Sequence, residues 1–192
     1  VSFEEMLELS SSGAKVLQLR AVEYASKFNL PIRVLSSFNE GEGTLVQEEK
    51  NIMERPIVSG ISSIDSEAKL TIRGVPDIPG VAAKILSPIS DAGIEVDVIV
   101  QNIGADNTTD FTFTVNEDDT KQAEEILKKT STTLGGGLIE VDDDIAKISV
   151  VGRGMRAHAG VASKMFQALA QSEINISTVS YTHLRAHETH PN

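Results

Sequence analysis

A strand–turn–helix–strand unit occurs twice in this chain, its first strands 78 residues apart and its helices and second strands eighty apart. Lys147-Ile148-Ser149-Val150-Val151-Gly152 echoes Lys69-Leu70-Thr71-Ile72-Arg73-Gly74, and Gly160-Val161-Ala162-Ser163-Lys164 echoes Gly80-Val81-Ala82-Ala83-Lys84. Ile174-Asn175-Ile176 echoes Ile94-Glu95-Val96 at the same spacing. An internal repeat of this length points to two modules of one architecture that pack together. In the first copy, residues 69–74 alternate apolar and polar, as a half-buried strand does. Pro76-Asp77-Ile78-Pro79-Gly80 is a tight turn, because Pro fixes φ and Gly permits unusual dihedrals. Val81, Ala82, Ile85, Leu86 and Ile89 then recur at helical spacing. Gly93 ends that helix, and residues 94–101 read as a second strand.

The sequence around this unit completes a fold. Residues 104–107 make a hairpin turn, and residues 109–115 a return strand with Phe111, Phe113 and Val115 on one face. Asp119 is placed to cap a helix over 120–129, with Gln122 at the capping-box position and Ala123, Ile126 and Leu127 as its core face. Gly135-Gly136-Gly137 reads as a loop and residues 138–141 as a short strand. The order is strand, helix, strand, strand, helix, strand, the α+β pattern of a ferredoxin-like sandwich. The second copy restarts that pattern but has only about fifteen residues left after 177, so it is expected to be incomplete. Upstream, residues 2–9 read as a helix that Ser2 can cap. Residues 14–28 read as a longer helix whose buried face is Val16, Leu17, Val22, Ala25 and Phe28. Residues 32–36 and 44–46 are extended, 47–55 a charged linker, 56–63 a short strand, and 64–67 a polar turn.

A turn that hands a strand to a helix leaves backbone N–H groups free to bind an anion, including the α-carboxylate of an amino acid. Asp77 in the same turn is placed to receive an ammonium. Glu95, Asp97, Ile99 and Gln101 share one strand face by alternation, so their carboxylates, beside a helix N-terminus, would hold a zwitterion or a basic side chain. The plainer alternative is that Asp77 and Pro79 only shape the turn, and that Glu95 and Asp97 line a solvated face. A second motif, Gly152-Arg153-Gly154-Met155-Arg156-Ala157, matches G-x-G-x-x-A with Glu173 about twenty residues on, the dinucleotide fingerprint. Its functional reading is an NAD(P)-dependent oxidoreductase. Asp142-Asp143-Asp144 with Glu140 offer carboxylates to a divalent cation, against a solvated linker between the repeats. His183 and His187 are four apart, a metal-clamp spacing on a helix. They lie in residues 180–192, SYTHLRAHETHPN, whose composition breaks from the rest and reads as a tail that is not native to it. No catalytic arrangement of Ser, His, Asp or Cys is present, and no phosphate loop.

Charge and composition narrow the partners. The formal net charge is −11 without a basic cluster, which argues against nucleic acid or an anionic membrane surface as partner. No apolar run approaches the roughly 20 residues that span a bilayer. Cysteine is absent, so there is no disulfide framework and no thiolate metal site, as suits a reducing cytoplasm. The N-terminus is acidic and amphipathic, unlike a signal peptide, and begins without Met, so the chain is expected to be part of a longer protein.

The stretches GAKVLQLRAVEYA (13–25), PIRVLSSF (31–38), GTLV (43–46), VDVIVQN (96–102), TDFTFTV (109–115) and AKISVVGRGM (146–155) resemble the C-terminal regulatory region of the aspartate kinase family, with its paired ACT domains. The resemblance implies a parent enzyme that transfers the γ-phosphoryl group of ATP to L-aspartate, on the way to lysine, threonine and methionine. By that resemblance residues 1–50 are the end of the kinase domain and 64–143 a first ACT domain. Residues 144–179 would be a partial second ACT domain, whose sheet strand 56–63 would complete. The family's N-terminal Lys-Phe-Gly-Gly signature is missing, so no catalytic residue, no cofactor and no metal is expected in this chain, ATP and Mg belonging to the parent enzyme. The implied partners are lysine or threonine as effectors, a second copy through the ACT domains, and the kinase catalytic domain or subunit. The implied effector contacts are Asp77, Ile78, Pro79, Gly80, Val81, Ala82, Glu95, Val96, Asp97, Gln101, Val161, Ala162, Asn175 and Ile176. A module that only dimerises remains the alternative within the same fold.

Overall fold

Period-two patterning builds a sheet here and period-3.6 patterning builds the helices that cover it. The computed structural model describes residues 1–49, 57–104, 106–152 and 160–180. The chain divides into two units, one of Ile64–Lys147 and one of Val1–Ser63 with Ile148–Asn192.

The Ile64–Lys147 unit carries a four-stranded sheet. Its strands are β3 (Gly60–Pro76), β4 (Ile99–Ile103), β5 (Thr108–Asn116) and β6 (Leu138–Val151), in the order β4-β5-β3-β6. Helices α3 (Val81–Asp91) and α4 (Thr120–Leu134) complete the β-α-β-β-α-β order of the ferredoxin-like fold. Leu70, Ile72 and Val75 of β3 meet Phe111, Phe113 and Val115 of β5 and Val81, Ile85 and Ile89 of α3 in one buried cluster, which Ala123 and Leu127 of α4 join. Val75 reaches that cluster through a bulge. Ile72 pairs with Phe111 but Val75 with Thr109, so β3 spends one extra residue and Val75 returns to the core face. Gly74 makes this possible with φ of +68° and gives its N–H to Asp110 Oδ1 at 2.9 Å.

In the other unit, α1 (Phe3–Ser11) and α2 (Leu19–Lys27) pack with β1 (Ile32–Val34) and β2 (Thr44–Val46) around Phe3, Met6, Val22, Ala25 and Val46. Ser2 caps α1 in a full capping box with Glu5. The start of β3, the end of β6 and α5 (Val161–Gln171) belong to the same unit. There the Ser59 N–H donates to Val151 O at 2.7 Å.

Several elements differ from the sequence expectations. Helix α2 starts at Leu19 and not near residue 14, with Val16 and Phe28 more than half exposed and only Val22 and Ala25 fully buried. Residues 64–67 are not a turn and residues 142–144 are not a linker, because β3 and β6 each run on as one strand. Those polar runs contain no Gly or Pro, and cross-strand ion pairs match their charges: Lys69 with Asp142 at 2.9 Å and Lys147 with Glu67 at 2.9 Å. Asp119 occupies the N-cap position of α4 without a side-chain hydrogen bond, since its backbone is already helical. The ladder of β4 begins only at Ile99, and residues 172–180 form no strand.

Candidate functional site

The β3–α3 corner is fastened by its own backbone. The Asp77 N–H donates to Asn107 O at 2.9 Å, that of Ile78 to Pro76 O at 3.0 Å, and that of Val81 to Ile78 O at 3.1 Å. Gly80 is the N-cap of α3 with φ of +88°, and its absent Cβ would point into open space. Backbone conformation, not crowding, is therefore what selects glycine there. The first helical bond runs from Lys84 N–H to Gly80 O at 3.0 Å, which leaves the amides of Ala82 and Ala83 without a partner among the described residues. Asp77, Ile78, Pro79 and Gly80 are exposed, Val81 is buried and Ala82 half-buried.

Gly160 repeats this geometry. It is the N-cap of α5 with φ of +97°, and Lys164 donates its N–H to Gly160 O at 2.9 Å. Val161 and Ala162 are half-buried, and Asn175 and Ile176 lie exposed beyond the helix.

Glu95, Asp97 and Gln101 are exposed and Val96 is half-buried, so the alternation read from the sequence holds. Their position relative to Asp77 does not match the expectation. Pro76 pairs with Thr108 at one end of β5, whereas Asp97 gives its N–H to Thr114 O at 3.1 Å near the other end. Six residues of strand separate those two places by about 20 Å. Helix α3 gives the same measure: Glu95 follows the C-terminal end of its 11 residues, about 16 Å from the amides at its start. Within one chain the Glu95 and Asp97 carboxylates therefore do not flank the N-terminus of α3.

Asp97 is also engaged. Lys147 Nζ on β6 bridges Asp97 Oδ2 and Glu67 Oε1. Burial alone would lower the pKa of this ammonium, but the hydrogen bonds it donates to Asp97 and Glu67 outweigh burial and raise it. The sequence reading gave neither Glu67 nor Lys147 a role at the site: Glu67 fell in the stretch 64–67 read as a polar turn, and Lys147 only opened the repeated strand.

The other candidates resolve separately. Gly152 needs no nucleotide to explain it: a Cβ there would lie 2.3 Å from Ile57 O and 2.8 Å from Val58 Cα. Arg153 to Ala157 of that motif, and His183 and His187, lie outside the described residues. Asp142, Asp143 and Asp144 alternate along β6, so their side chains diverge. Asp142 pairs with Lys69, which holds its pKa below the usual carboxylate range, and Glu140 pairs with Arg73 at 2.8 Å. Among the described residues no group of three or more His, Cys, Asp or Glu side chains is placed to hold a metal. No helix among them is long and apolar enough to cross a membrane.

Comparison with known proteins identifies the domains. A family model described as the ACT domain matches residues 70–131, and a second ACT-domain model matches residues 148–185. The chain is similar to the aspartokinase of Pseudomonas aeruginosa, with 59% identity over 187 residues covering 96% of this chain and 45% of that protein. It thus spans a little under half the length of that relative. A crystal structure of aspartokinase alpha and beta subunits superposes with a TM-score of 0.61 at 47% identity, over 66% of this chain and 83% of that one. The ligand-free regulatory subunit of aspartate kinase from Thermus thermophilus superposes with a TM-score of 0.62 at 33% identity, over 67% and 85% respectively.

Proposed function

Because the chain belongs to the aspartokinase family, as sequence of its ACT-domain regulatory region, we propose that it binds free lysine, threonine or both and so controls an aspartate kinase by feedback. The observation that supports this most is the repeated corner: Gly80 and Gly160 hold the same left-handed N-cap, and the amides of Ala82 and Ala83 have no partner among the described residues. Such amides bind the α-carboxylate, and an acidic side chain takes the α-ammonium. Since Asp77 and Asp97 stand at opposite ends of β5, the effector is shared between two copies. One copy supplies the amides and Asp77, and the other supplies Glu95, Asp97 and Gln101. Binding at such an interface favours one arrangement of the copies, and through it one state of the attached kinase.

Phosphoryl transfer from ATP with Mg to L-aspartate belongs to the kinase catalytic part. The exposed apolar side chains of Val16, Tyr24, Phe28, Leu35 and Phe38 give that part a surface to pack on.

Isothermal titration of the chain with lysine and threonine, singly and together, tests this function. We expect saturable heat and a rise in Tm with at least one of them. No heat and no thermal shift with either amino acid overturns it, and leaves a module that only dimerises.

A further inference from the structure

Glu67, Asp97 and Lys147 form a charge cluster with one cation for two carboxylates, all within the Ile64–Lys147 unit. Its members differ sharply in access. Glu67 is 7% exposed on β3, while the Asp97 side chain is 54% exposed. The Asp97 backbone is pinned, by its own N–H on Thr114 O and by the Thr114 N–H on Val98 O at 3.0 Å, so only its carboxylate is free to change partner. One atom in the cluster is unsatisfied. Glu67 Oε2 is buried and has no hydrogen-bond partner among the described residues. A buried carboxylate oxygen in that state costs free energy and gains by acquiring a donor.

We propose that Lys147 is a tethered competitor for the effector's ammonium: in the unliganded chain its Nζ occupies Asp97, and an incoming amino acid takes Asp97 while Lys147 withdraws onto Glu67 and satisfies Oε2. The exchange conserves charge. Asp97 trades one ammonium for another, and the less exposed Glu67 keeps the cation it needs, so neither carboxylate is stranded. Lys147 thereby sets effector affinity without touching the effector, because the site is binding-competent only in the fraction of molecules whose Asp97 is free. This rests on the function proposed above, in which Asp97 is one of the carboxylates that face the ammonium of lysine or threonine.

Calorimetric titration of the full chain with lysine and threonine, in wild type and two variants, tests the exchange. The double variant Lys147→Met with Glu67→Gln removes the half-buried cation and its buried partner together and leaves Asp97 free. It should bind the effector about threefold to tenfold more tightly than wild type. Lys147→Arg spans both carboxylates with a planar fork and should weaken binding by a similar factor of about three to ten. A lysine that is merely structural predicts weaker binding on its removal, so tightening is the distinguishing result. Unchanged or weaker binding by the double variant overturns the exchange. If that variant does not fold, Lys147→Arg decides alone, and unchanged affinity there overturns it equally. A wild-type chain that binds neither amino acid fails the proposed function itself; a wild-type chain that binds, with variants that do not differ, fails only the competition by Lys147.

Discussion

Gly93 and Glu173 stand at the same place, one residue past the C-cap of α3 and α5, and both take a left-handed backbone, with φ of 77° and 57°. Each closes the same pair of bonds. The Gly93 N–H reaches Ser90 O and the Ile94 N–H reaches Ile89 O; the Glu173 N–H reaches Ala170 O and the Ile174 N–H reaches Leu169 O. These are the two bonds of a Schellman stop. One copy of the repeat has the residue that suits this conformation and the other does not, so Glu173→Gly should stabilise the chain by about 1 kcal/mol and Gly93→Ala should destabilise it by about 1–2 kcal/mol. Urea unfolding checks both; the same sign for the two changes would contradict the shared geometry.

Ile85 and Met165 are also equivalent, but Ile85 is fully buried between sheet and helix whereas Met165 is half-buried and lines a groove of about 620 Å³ with Ile61, Ile148 and Leu169. Ile85→Ala should cost about 2–5 kcal/mol, from lost burial and the cavity left behind. Met165→Ala should cost less than half as much, because part of its surface is already in water. Equal losses in thermal or urea unfolding would mean that the α5 face is covered in solution.

The Lys147 cluster and the Lys69–Asp142 pair fail at opposite ends of the pH scale. The folded-state pKa of Lys147 is raised, so its stabilisation is complete below the ordinary lysine pKa and is lost as pH rises through the folded value. The folded-state pKa of Asp142 is lowered, so its contribution is present above the ordinary carboxylate range and disappears as pH falls through the folded value. Urea midpoints against pH should show the alkaline loss shrink in the Lys147→Met, Glu67→Gln double variant. The smaller acid loss, screened by solvent, should shrink in Lys69→Met.

Effector sharing between copies makes a complementation prediction. Asp77→Ala and Asp97→Asn should each weaken effector binding more than about tenfold by removing a charge partner. Mixing the two variant chains should restore wild-type affinity at about a quarter of the wild-type number of sites, because half of the dimers are mixed and each mixed dimer has one intact site of two. A site built within a single chain gives no restoration.

The candidate site was legible at its corner and illegible in its pairing. The corner depends on Pro76, Asp77, Pro79 and Gly80, neighbours whose dihedral preferences act over a single turn. The eighty-residue echo then fixed where Gly160 must sit. The stretches 64–67 and 142–144 were misread because acidic runs favour turns on average, whereas here the cations of Lys69 and Lys147 arrive from another strand and keep them extended.

What the sequence by itself determined is the repeat, the order of elements, the apolar core face and the left-handed glycines that start α3 and α5. All of these follow from side-chain periodicity and local backbone sterics. Only the tertiary structure decided that Asp97 is held by a lysine fifty residues away, that Glu67 keeps an unsatisfied buried oxygen, and that Asp77 and Asp97 lie at opposite ends of one strand. The reason is physical: such contacts depend on strand order and register, which arise when distant segments bury their apolar faces together, and no local pattern carries that information.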